Sequence, residues 1–208
     1  KKHNVTKIIF GKKMYNKFIS YLNGLLASPL NPEEIKIIKE VFKPKTLLKN
    51  QYFLQQGEIC KLTGFIVKGA IKQYSLDEKG KEKVLGLLID NWWVGDRESM
   101  LKNTPSSYYI QAYQRSELLI FTKEDFEEHL INQPFILEAR RILFERQSLQ
   151  LLKRLYATNM LPAKQRIQEL ENCYPDFFQK FPQHLIASYL GLTKETYSRI
   201  KSNMLKNQ

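Results

Sequence analysis

QHLIASYLGLTKETYSRI, residues 183–200, reads as two short helices joined by a tight turn. On the first helix Ile186, Ala187 and Leu190 form an apolar stripe at helical spacing. Gly191 follows at once, at a position where a helix end favours a residue that tolerates positive φ. The small side chain of Ala187 lets the second helix cross closely over the first. Together these features predict a DNA-reading helix-turn-helix, and the alternative is a plain helical hairpin.

Thr193 is a suitable N-cap for the second helix, because its hydroxyl can accept from the free N–H groups of the first turn. On this helix Thr196, Tyr197 and Ile200 are predicted to face inward. The outward face is then polar, and it consists of Lys194, Glu195, Ser198 and Arg199. Such a face suits contact with DNA, whereas in a plain hairpin it would only be solvated.

The composition is that of a globular protein with an excess of positive charge. The 208 residues carry a formal net charge of +12, which favours a polyanionic partner without naming one. The two cysteines, Cys60 and Cys173, form no CxxC motif, so we expect reduced thiols in a cytoplasmic protein. They are also too few to hold an iron–sulfur cluster with four cysteine ligands. No apolar run reaches the length of a membrane span, and residues 1–10 lack the pattern of a signal peptide.

Two helices are predicted before the first strand. Residues 1–20 carry several lysines and no acidic residue, and we expect a solvated, partly frayed end there. Apolar residues at helical spacing predict a helix from Phe18 to Leu26. A second helix follows Asn31, a suitable N-cap, with Pro32 at its first helical position.

The pattern then changes from helical to strand-like. Between residues 42 and 121, short apolar segments alternate with turn signals such as Gln56-Gly57-Glu58 and Asp77-Glu78-Lys79-Gly80. The predicted strands are Thr46–Leu48, Tyr52–Leu54, Gly64–Lys68, Ala70–Tyr74, Lys83–Ile89, Tyr108–Ala112 and Ser116–Phe121. Many short strands with regular turns indicate a β-barrel or a double-sheet roll.

A long helix is predicted from Pro134 to about Thr158. It carries two apolar stripes, Leu137-Phe144-Leu151-Leu155 and Ile142-Leu149-Leu152-Tyr156. Two stripes require two surfaces, so we expect one to pack on the β-domain and the other on a second copy of the chain. The alternative is a helix buried on both sides within one monomer.

Helical structure resumes after a break. Leu161 precedes a proline and therefore disfavours α geometry. Pro162 starts a new helix that is predicted to reach about Asn172. Residues 176–181 are short, aromatic and bracketed by prolines, and they are interpreted as a small β-wing ahead of the helix-turn-helix.

This order of elements resembles the Crp/Fnr family of bacterial transcription regulators, from about Pro32 to the end of the chain. Residues 191–199, GLTKETYSR, are similar to the family's G-x-[ST]-R-E-T-x-x-R motif, with Lys194 in place of an arginine. The resemblance implies an α+β fold in three parts: an N-terminal double-stranded β-helix (jelly-roll-like) sensor domain over residues 1–133, a dimerisation helix over 134–160, and a winged helix-turn-helix over 161–208. Asn91-Trp92-Trp93 together with residues 186–191 resembles the subgroup from the Bacteroidetes.

The resemblance also implies roles for the polar residues of the C-terminal region. Glu195 and Arg199 would contact base edges, since glutamate can accept from cytosine and arginine can pair bidentately with guanine. The further DNA-binding candidates are Thr193, Lys194 and Ser198, with Gln183 and Ser202 next to phosphates. The expected partners are double-stranded DNA, contacted by the helix 193–204, a second copy of the chain through residues 134–160, and RNA polymerase. No membrane partner is expected.

The candidate effector pocket departs from the pattern of cyclic-nucleotide sensors in the family. Gly95-Asp96 stands where those sensors have Gly-Glu, and Ser106-Ser107 stands where they have Arg-Ser. A serine hydroxyl cannot replace the guanidinium that would pair with the cyclic phosphate. Cyclic AMP is therefore not expected, and the effector would be another, unknown small molecule. Trp92 and Trp93 are expected to pack in the core and the pocket wall, with a stacking platform for an aromatic ligand as the alternative.

Other classes of function receive less support from the sequence. The predicted strands contain no histidine, which argues against a metal-dependent β-roll enzyme and against a haem sensor. No cofactor or metal is predicted. Two alternatives remain open: a small-molecule-binding module whose helix-turn-helix contacts proteins, and a regulator that does respond to cyclic nucleotides.

Overall fold

The computed structural model describes residues 2–206, and their side chains from Gly11 onward. The helices are α1 (Lys2–Asn23), α2 (Pro32–Val41), α3 (Arg97–Lys102), α4 (Lys123–Asp125), α5 (Pro134–Met160), α6 (Ala163–Cys173), α7 (Pro175–Lys180), α8 (Gln183–Tyr189) and α9 (Lys194–Lys206). A π-helical turn, Phe126–Leu130, continues α4. The strands are β1 (Lys43–Leu47), β2 (Tyr52–Leu54), β3 (Leu62–Lys68), β4 (Ala70–Leu76), β5 (Glu82–Ile89), β6 (Trp93–Val94), β7 (Tyr109–Ala112) and β8 (Ser116–Thr122). Among these helices none has the length and apolar character needed to cross a membrane.

The strands form the double-sheet roll that the sequence predicts. One antiparallel sheet has the order β1-β8-β3-β6 and the other the order β2-β7-β4-β5. Alternate residues of the strands point into the roll, so that Ile66, Ile71, Ile110 and Leu118 are fully buried between the sheets. Strand β6 is absent from the prediction because two residues are too few to show alternation.

The expectation of a frayed N-terminus is wrong for residues 11–20. They belong to α1, which begins well before the predicted start at Phe18. Met14, Phe18 and Leu22 recur every four residues and are buried on one face. The Phe18 ring centroid lies 4.7 Å from those of Phe42 and Phe65, so α1 covers the outer face of the sheet that contains β3. The side chains of residues 1–10 lie outside the described part of the chain.

Helix α5 begins at Pro134 as predicted, but its apolar stripes do not pack as expected. The contact with the β-domain is made mainly by its first two turns, where Phe135, Ile136 and Ala139 are buried. Further along, both stripes are exposed to solvent. Their exposed fractions are 53% for Leu149, 66% for Leu151, 63% for Leu152, 60% for Leu155 and 60% for Tyr156. The second half of α5 thus presents apolar side chains that the monomer leaves uncovered.

The C-terminal domain, residues 161–206, is helical throughout. The β-wing predicted at residues 176–181 is wrong, because most of this segment lies in α7. Pro175 opens the helix and Asp176 supplies an acid to its first turn. Phe177 and Phe181, four residues apart, are both buried in the domain core. Within residues 2–206 no strand follows β8, so the described domain is a helix-turn-helix without a wing.

The C-terminal domain packs on the outer face of the sheet β2-β7-β4-β5. Ala70, Val84 and Leu87 of this sheet share one buried apolar cluster with residues of α6, α7, α8 and α9. Trp92 lies at the same boundary, with its ring 5.5 Å from that of Tyr174. The two domains therefore form a continuous core rather than separate bodies on a flexible linker.

An ion-pair cluster centred on Asp90 joins α1, the roll and the C-terminal domain. Its carboxylate lies 2.5 Å from Lys180 Nζ of α7 and 3.2 Å from Lys17 Nζ of α1. It also accepts from the Gly69 N–H at 2.9 Å. Burial raises the pKa of Asp90, but the hydrogen bonds from Lys180, Gly69 and Lys17 hold it below its ordinary value. The carboxylate thus stays charged and bridges three elements.

Phe18→Ala tests the packing of α1 on the roll. We expect the free energy of unfolding to fall by about 3–5 kcal/mol, because the variant leaves a cavity between Phe42 and Phe65. Lys13→Ala, at an exposed position of the same helix, should change it by less than about 0.5 kcal/mol. Urea denaturation of both variants measures the difference. Equal stabilities would mean that α1 does not pack on the sheet.

Candidate nucleic-acid interface and effector pocket

The helix-turn-helix consists of α8, a turn over residues 190–193, and α9. Gly191 has φ 69°, in the left-handed region that glycine adopts without strain. The N–H of Leu192 donates to the carbonyl of Ala187 at 2.8 Å and closes the end of α8. Thr193 caps α9, because its hydroxyl accepts from the N–H of Thr196 at 3.1 Å. The predicted turn and cap are confirmed.

One face of α9 packs on the domain and fixes which face is free. Tyr197 is buried, and burial raises its pKa to about 12, so the phenol is neutral. Lys201 forms an ion pair with Glu171 of α6. On the opposite side, the predicted DNA-contacting residues are all exposed, namely Thr193, Lys194, Glu195, Ser198, Arg199 and Ser202. Gln183 is exposed at the start of α8.

Glu195 and Arg199 are the two groups on this face that can distinguish bases. They lie one turn apart and therefore share a side of the helix. The pKa of Glu195 is lowered by its own backbone N–H and by the Thr193 hydroxyl, so its carboxylate is ionised and can accept from a base amino group. No carboxylate among the described residues lies within 4 Å of the Arg199 guanidinium.

Two arginines that sequence reasoning missed hold the end of α8. Arg166 of α6 donates to the carbonyl of Leu190 at 2.8 Å. Arg154 of α5 donates to the carbonyl of Tyr189 at 3.2 Å and to that of Leu85 in β5 at 2.5 Å. Cations at a helix C-terminus satisfy its unpaired carbonyls and its dipole. These contacts join residues at least 24 positions apart, a separation at which sequence periodicity gives no signal.

In the candidate effector pocket, Asp96 and Ser106 are both buried and both engaged by their own chain. Asp96 caps α3 by accepting from the N–H of Ser99 at 3.1 Å. The Ser106 hydroxyl donates to the carbonyl of Tyr108 at 3.1 Å and accepts from its N–H at 3.3 Å. Ser107 is exposed, so it does not join them.

Tyr108, which the sequence did not single out, lies against the Asp96 carboxylate. Burial, followed by the charge of Asp96 and a hydrogen bond to it, raises the pKa of Tyr108 well above its ordinary value. The phenol therefore stays protonated beside Asp96. Tyr108 thus lies next to the Asp96 carboxylate, the group that was predicted to contact a ligand.

Trp93 lies away from these residues and packs in the core, as expected. Its ring is 5.4 Å from that of Phe65 and 5.7 Å from that of Phe18, on the α1 side of the sheet. The stacking-platform alternative is contradicted by this position. Gly95 has φ 152° and lies close to the backbone of β3. A Cβ atom at this position would come within 3.2 Å of the carbonyl oxygen of Leu62, so the close approach favours glycine.

A groove of about 520 Å³ opens beside the pocket residues. It is lined by Phe53, Leu54, Gly57, Glu58, Ile59, Cys60, Lys61 and Leu62. Cys60 connects it to the pocket, since its sulfur accepts from the N–H of Asp96 at 3.2 Å. None of the predicted effector residues lines the groove itself. Strand ends and turns, which lack a regular pattern, form most of its wall.

A jelly-roll-like domain that carries a helix-turn-helix behind a long helix defines a two-domain regulator, with a sensor part and a DNA-reading part. Comparison with known proteins shows what the chain is similar to. Residues 44–133 match the family model for the cyclic nucleotide-binding domain. The transcriptional activator protein Anr of Pseudomonas protegens is 24% identical over 191 residues, covering 86% of this chain and 78% of that protein.

Two further comparisons agree. The cAMP-activated global transcriptional regulator CRP of Escherichia coli is 27% identical over 172 residues, covering 74% of this chain and 78% of CRP. The structure of the c-di-GMP-responsive global regulator CLP of Xanthomonas campestris superimposes with a TM-score of 0.67 at 14% identity, covering 85% and 93% of the two chains. These comparisons support a DNA-binding transcription regulator of the Crp/Fnr type, and the relatives named are regulators rather than enzymes.

Proposed function

We propose that the chain is a dimeric regulator that reads a palindromic DNA site with the helix predicted over residues 193–204, which corresponds to α9. The observation that carries this proposal is the exposed polar face of α9, held outward by the burial of Tyr197 on the opposite side. In a helix-turn-helix the second helix enters the major groove with its N-terminal residues toward the bases.

We assign the contacts by the chemistry of each side chain. Arg199 pairs with guanine and Glu195 accepts from cytosine. Ser198 contacts the same groove. Phosphates are contacted by Thr193, Lys194, Gln183 and Ser202, which fix the orientation of the helix on the duplex.

We further propose that two copies associate through α5. Support comes from the exposed apolar side chains of its second half, which include Leu149, Leu151, Leu152, Leu155 and Tyr156. A second α5 would cover this surface in a two-fold symmetric arrangement. The two reading helices would then lie about 34 Å apart, one helical turn of DNA. RNA polymerase is a further partner that such a regulator implies.

The effector is proposed to be a small molecule other than cyclic AMP. The Ser106 hydroxyl bonds to the backbone of Tyr108 and supplies no positive charge. The carboxylate of Asp96 is met by the phenol of Tyr108. Ser106, which stands where cyclic-nucleotide sensors have an arginine, offers a cyclic phosphate no guanidinium to pair with. The groove beside Cys60 is the candidate site for a different ligand.

Arg199→Ala tests the DNA-reading role. Selection from random duplexes with the wild-type chain should return a two-fold symmetric site. The variant should bind this site more weakly by about 1–3 kcal/mol and lose discrimination at one base pair of each half-site. Arg115→Ala, at an exposed position in the turn between β7 and β8, is the matched control. No enriched sequence at modest salt would refute the proposed function.

Replacement of Leu151 and Leu155 by aspartate tests the dimer. Four charges would face one another across the seam of the dimer, so the variant should be monomeric at micromolar concentrations where the wild-type chain is dimeric. Native mass spectrometry measures both states and also shows any retained ligand. Gln150→Asp, at an exposed polar position of the same helix, should remain dimeric. A wild-type chain that is monomeric at high concentration would contradict α5 as the interface.

Isothermal titration with cyclic AMP tests the effector assignment. We expect no saturable binding at micromolar concentrations, because the site lacks a cation opposite the phosphate. The same protein sample should bind the selected duplex, which shows that it is folded and competent. Saturable micromolar binding of cyclic AMP would show that the inference from Ser106 is wrong.

A further inference from the structure

The hairpin formed by β4 and β5 lies beside the helix-turn-helix. The N–H of Val84 in β5 donates to the Ser188 hydroxyl of α8 at 3.0 Å. Val84 and Leu87 share a buried cluster with Leu185 and Ile186 of α8. Since β5 is the edge strand of its sheet, α8 covers that edge, and the hairpin and the helix-turn-helix are held in a fixed relation.

The hairpin tip, residues 77–81, is a rigid turn that projects its lysines. Asp77 accepts from the N–H groups of Lys79 at 3.1 Å and Lys81 at 2.9 Å. Its own N–H donates to the carbonyl of Lys81 at 3.0 Å. Gly80 completes the turn with φ 73°. Because Asp77 is turned back on the hairpin, the Lys79 and Lys81 side chains are directed outward and are exposed.

These two lysines lack the ion pairs that their neighbours have. Lys83 lies 3.7 Å from Asp77, and Lys72 lies 2.5 Å from Glu82. Within the described residues no carboxylate comes within 4 Å of the ammonium group of Lys79 or Lys81. Both charges are therefore available to an anion from outside.

Lys81 also lies close to the end of α9 that is proposed to enter the groove. After the hydrogen bonds of Glu195 within its own turn, the charges of Lys194 and Lys81 add to the lowering of its pKa. The charge of Lys81 thus acts on the first turn of α9, on the side of the roll where β5 contacts α8.

We propose that the tip of the β4–β5 hairpin is a second DNA-contacting element, in which Lys79 and Lys81 bind backbone phosphates next to the groove entered by α9. This inference rests on the proposed DNA-reading function. Within residues 2–206 no strand follows β8, so the described C-terminal domain has no wing. In this proposal the hairpin supplies the phosphate contacts that a wing makes in other helix-turn-helix domains. The sensor domain then contributes directly to DNA affinity. Its contribution is independent of sequence, because phosphates carry no base information.

The test compares two double variants with the same loss of charge. Lys79→Ala/Lys81→Ala removes the lysines at the tip, and Lys36→Ala/Lys39→Ala removes two exposed lysines of α2, which packs on the other sheet of the roll. Affinity for the selected duplex and for a random duplex is measured across a salt series. For the tip variant we expect a loss of at least about tenfold on both duplexes and a salt slope smaller by about 4, because each of the two copies loses two phosphate contacts. The α2 variant should match the wild-type chain.

The outcomes separate this inference from the function on which it rests. Equal affinities and slopes for the two double variants, with a clear loss for Arg199→Ala, would overturn the hairpin contact and leave the DNA reader standing. A loss on the selected duplex alone would mean that Lys81 acts through Glu195, which also overturns the phosphate contact. Failure of the wild-type chain to select any duplex would refute the DNA-reading function itself. Thermal unfolding of each variant confirms that it is folded.

Discussion

The arrangement of the molecule depends on one apolar contact, between the outer face of the sheet β2-β7-β4-β5 and the helices of the C-terminal domain. Ala70 and Leu87 face outward from this sheet and meet Phe177 and Leu185 in a single buried cluster. Each large apolar side chain buried there contributes about 1.5–3 kcal/mol, so the contact outweighs the freedom that two domains on a linker would have. The orientation of α9 is consequently set by the roll of the same chain.

Polar interactions fix the position of the C-terminal domain on the sheet. Arg154 reaches from α5 to the carbonyls of Leu85 and Tyr189, and so ties the long helix, the sheet and α8 at one point. On the other side of the interface, Asp90 holds Lys180 and Lys17. Apolar surfaces can slide on one another, whereas directed hydrogen bonds to charged groups cannot shift without loss. The two polar ties therefore fix where the apolar faces meet.

Local patterns predicted what is locally determined, namely most strands, the capped helices and the turn of the helix-turn-helix. Gly191 and Thr193 act through their own backbone and near neighbours, so their roles are readable from spacing alone. The errors arose where distant contacts decide. The lysines near the N-terminus favour a frayed end, but the apolar stripe of α1 that includes Phe18 packs on the sheet. The aromatic residues of α7 favour a strand, but Phe177 is buried among the helices of the C-terminal domain.

The candidate site shows the same division. The polar face of α9 was predictable, because a helix that buries Tyr197 must expose the residues opposite it. In contrast, Tyr108 and Arg154 were invisible to the sequence, since each acts on a group brought near by the tertiary fold. The sequence predicts two apolar stripes on α5 with one of them left free for a second copy, whereas in the second half of the helix both are uncovered. Periodicity reports that a face is apolar, and only the packed structure reports which face remains free.

The sheet β2-β7-β4-β5 also gives the sensor domain a short physical connection to DNA reading. Its inner face carries Ile71 and Ile110, near the pocket where Tyr108 meets Asp96. Its outer face carries α8, through Ser188 and the apolar cluster. A ligand that displaced Tyr108 would act on one side of a sheet whose other side holds the reading domain. Since packed elements move as units rather than deform, such a change would reach α9 through β5 and α8.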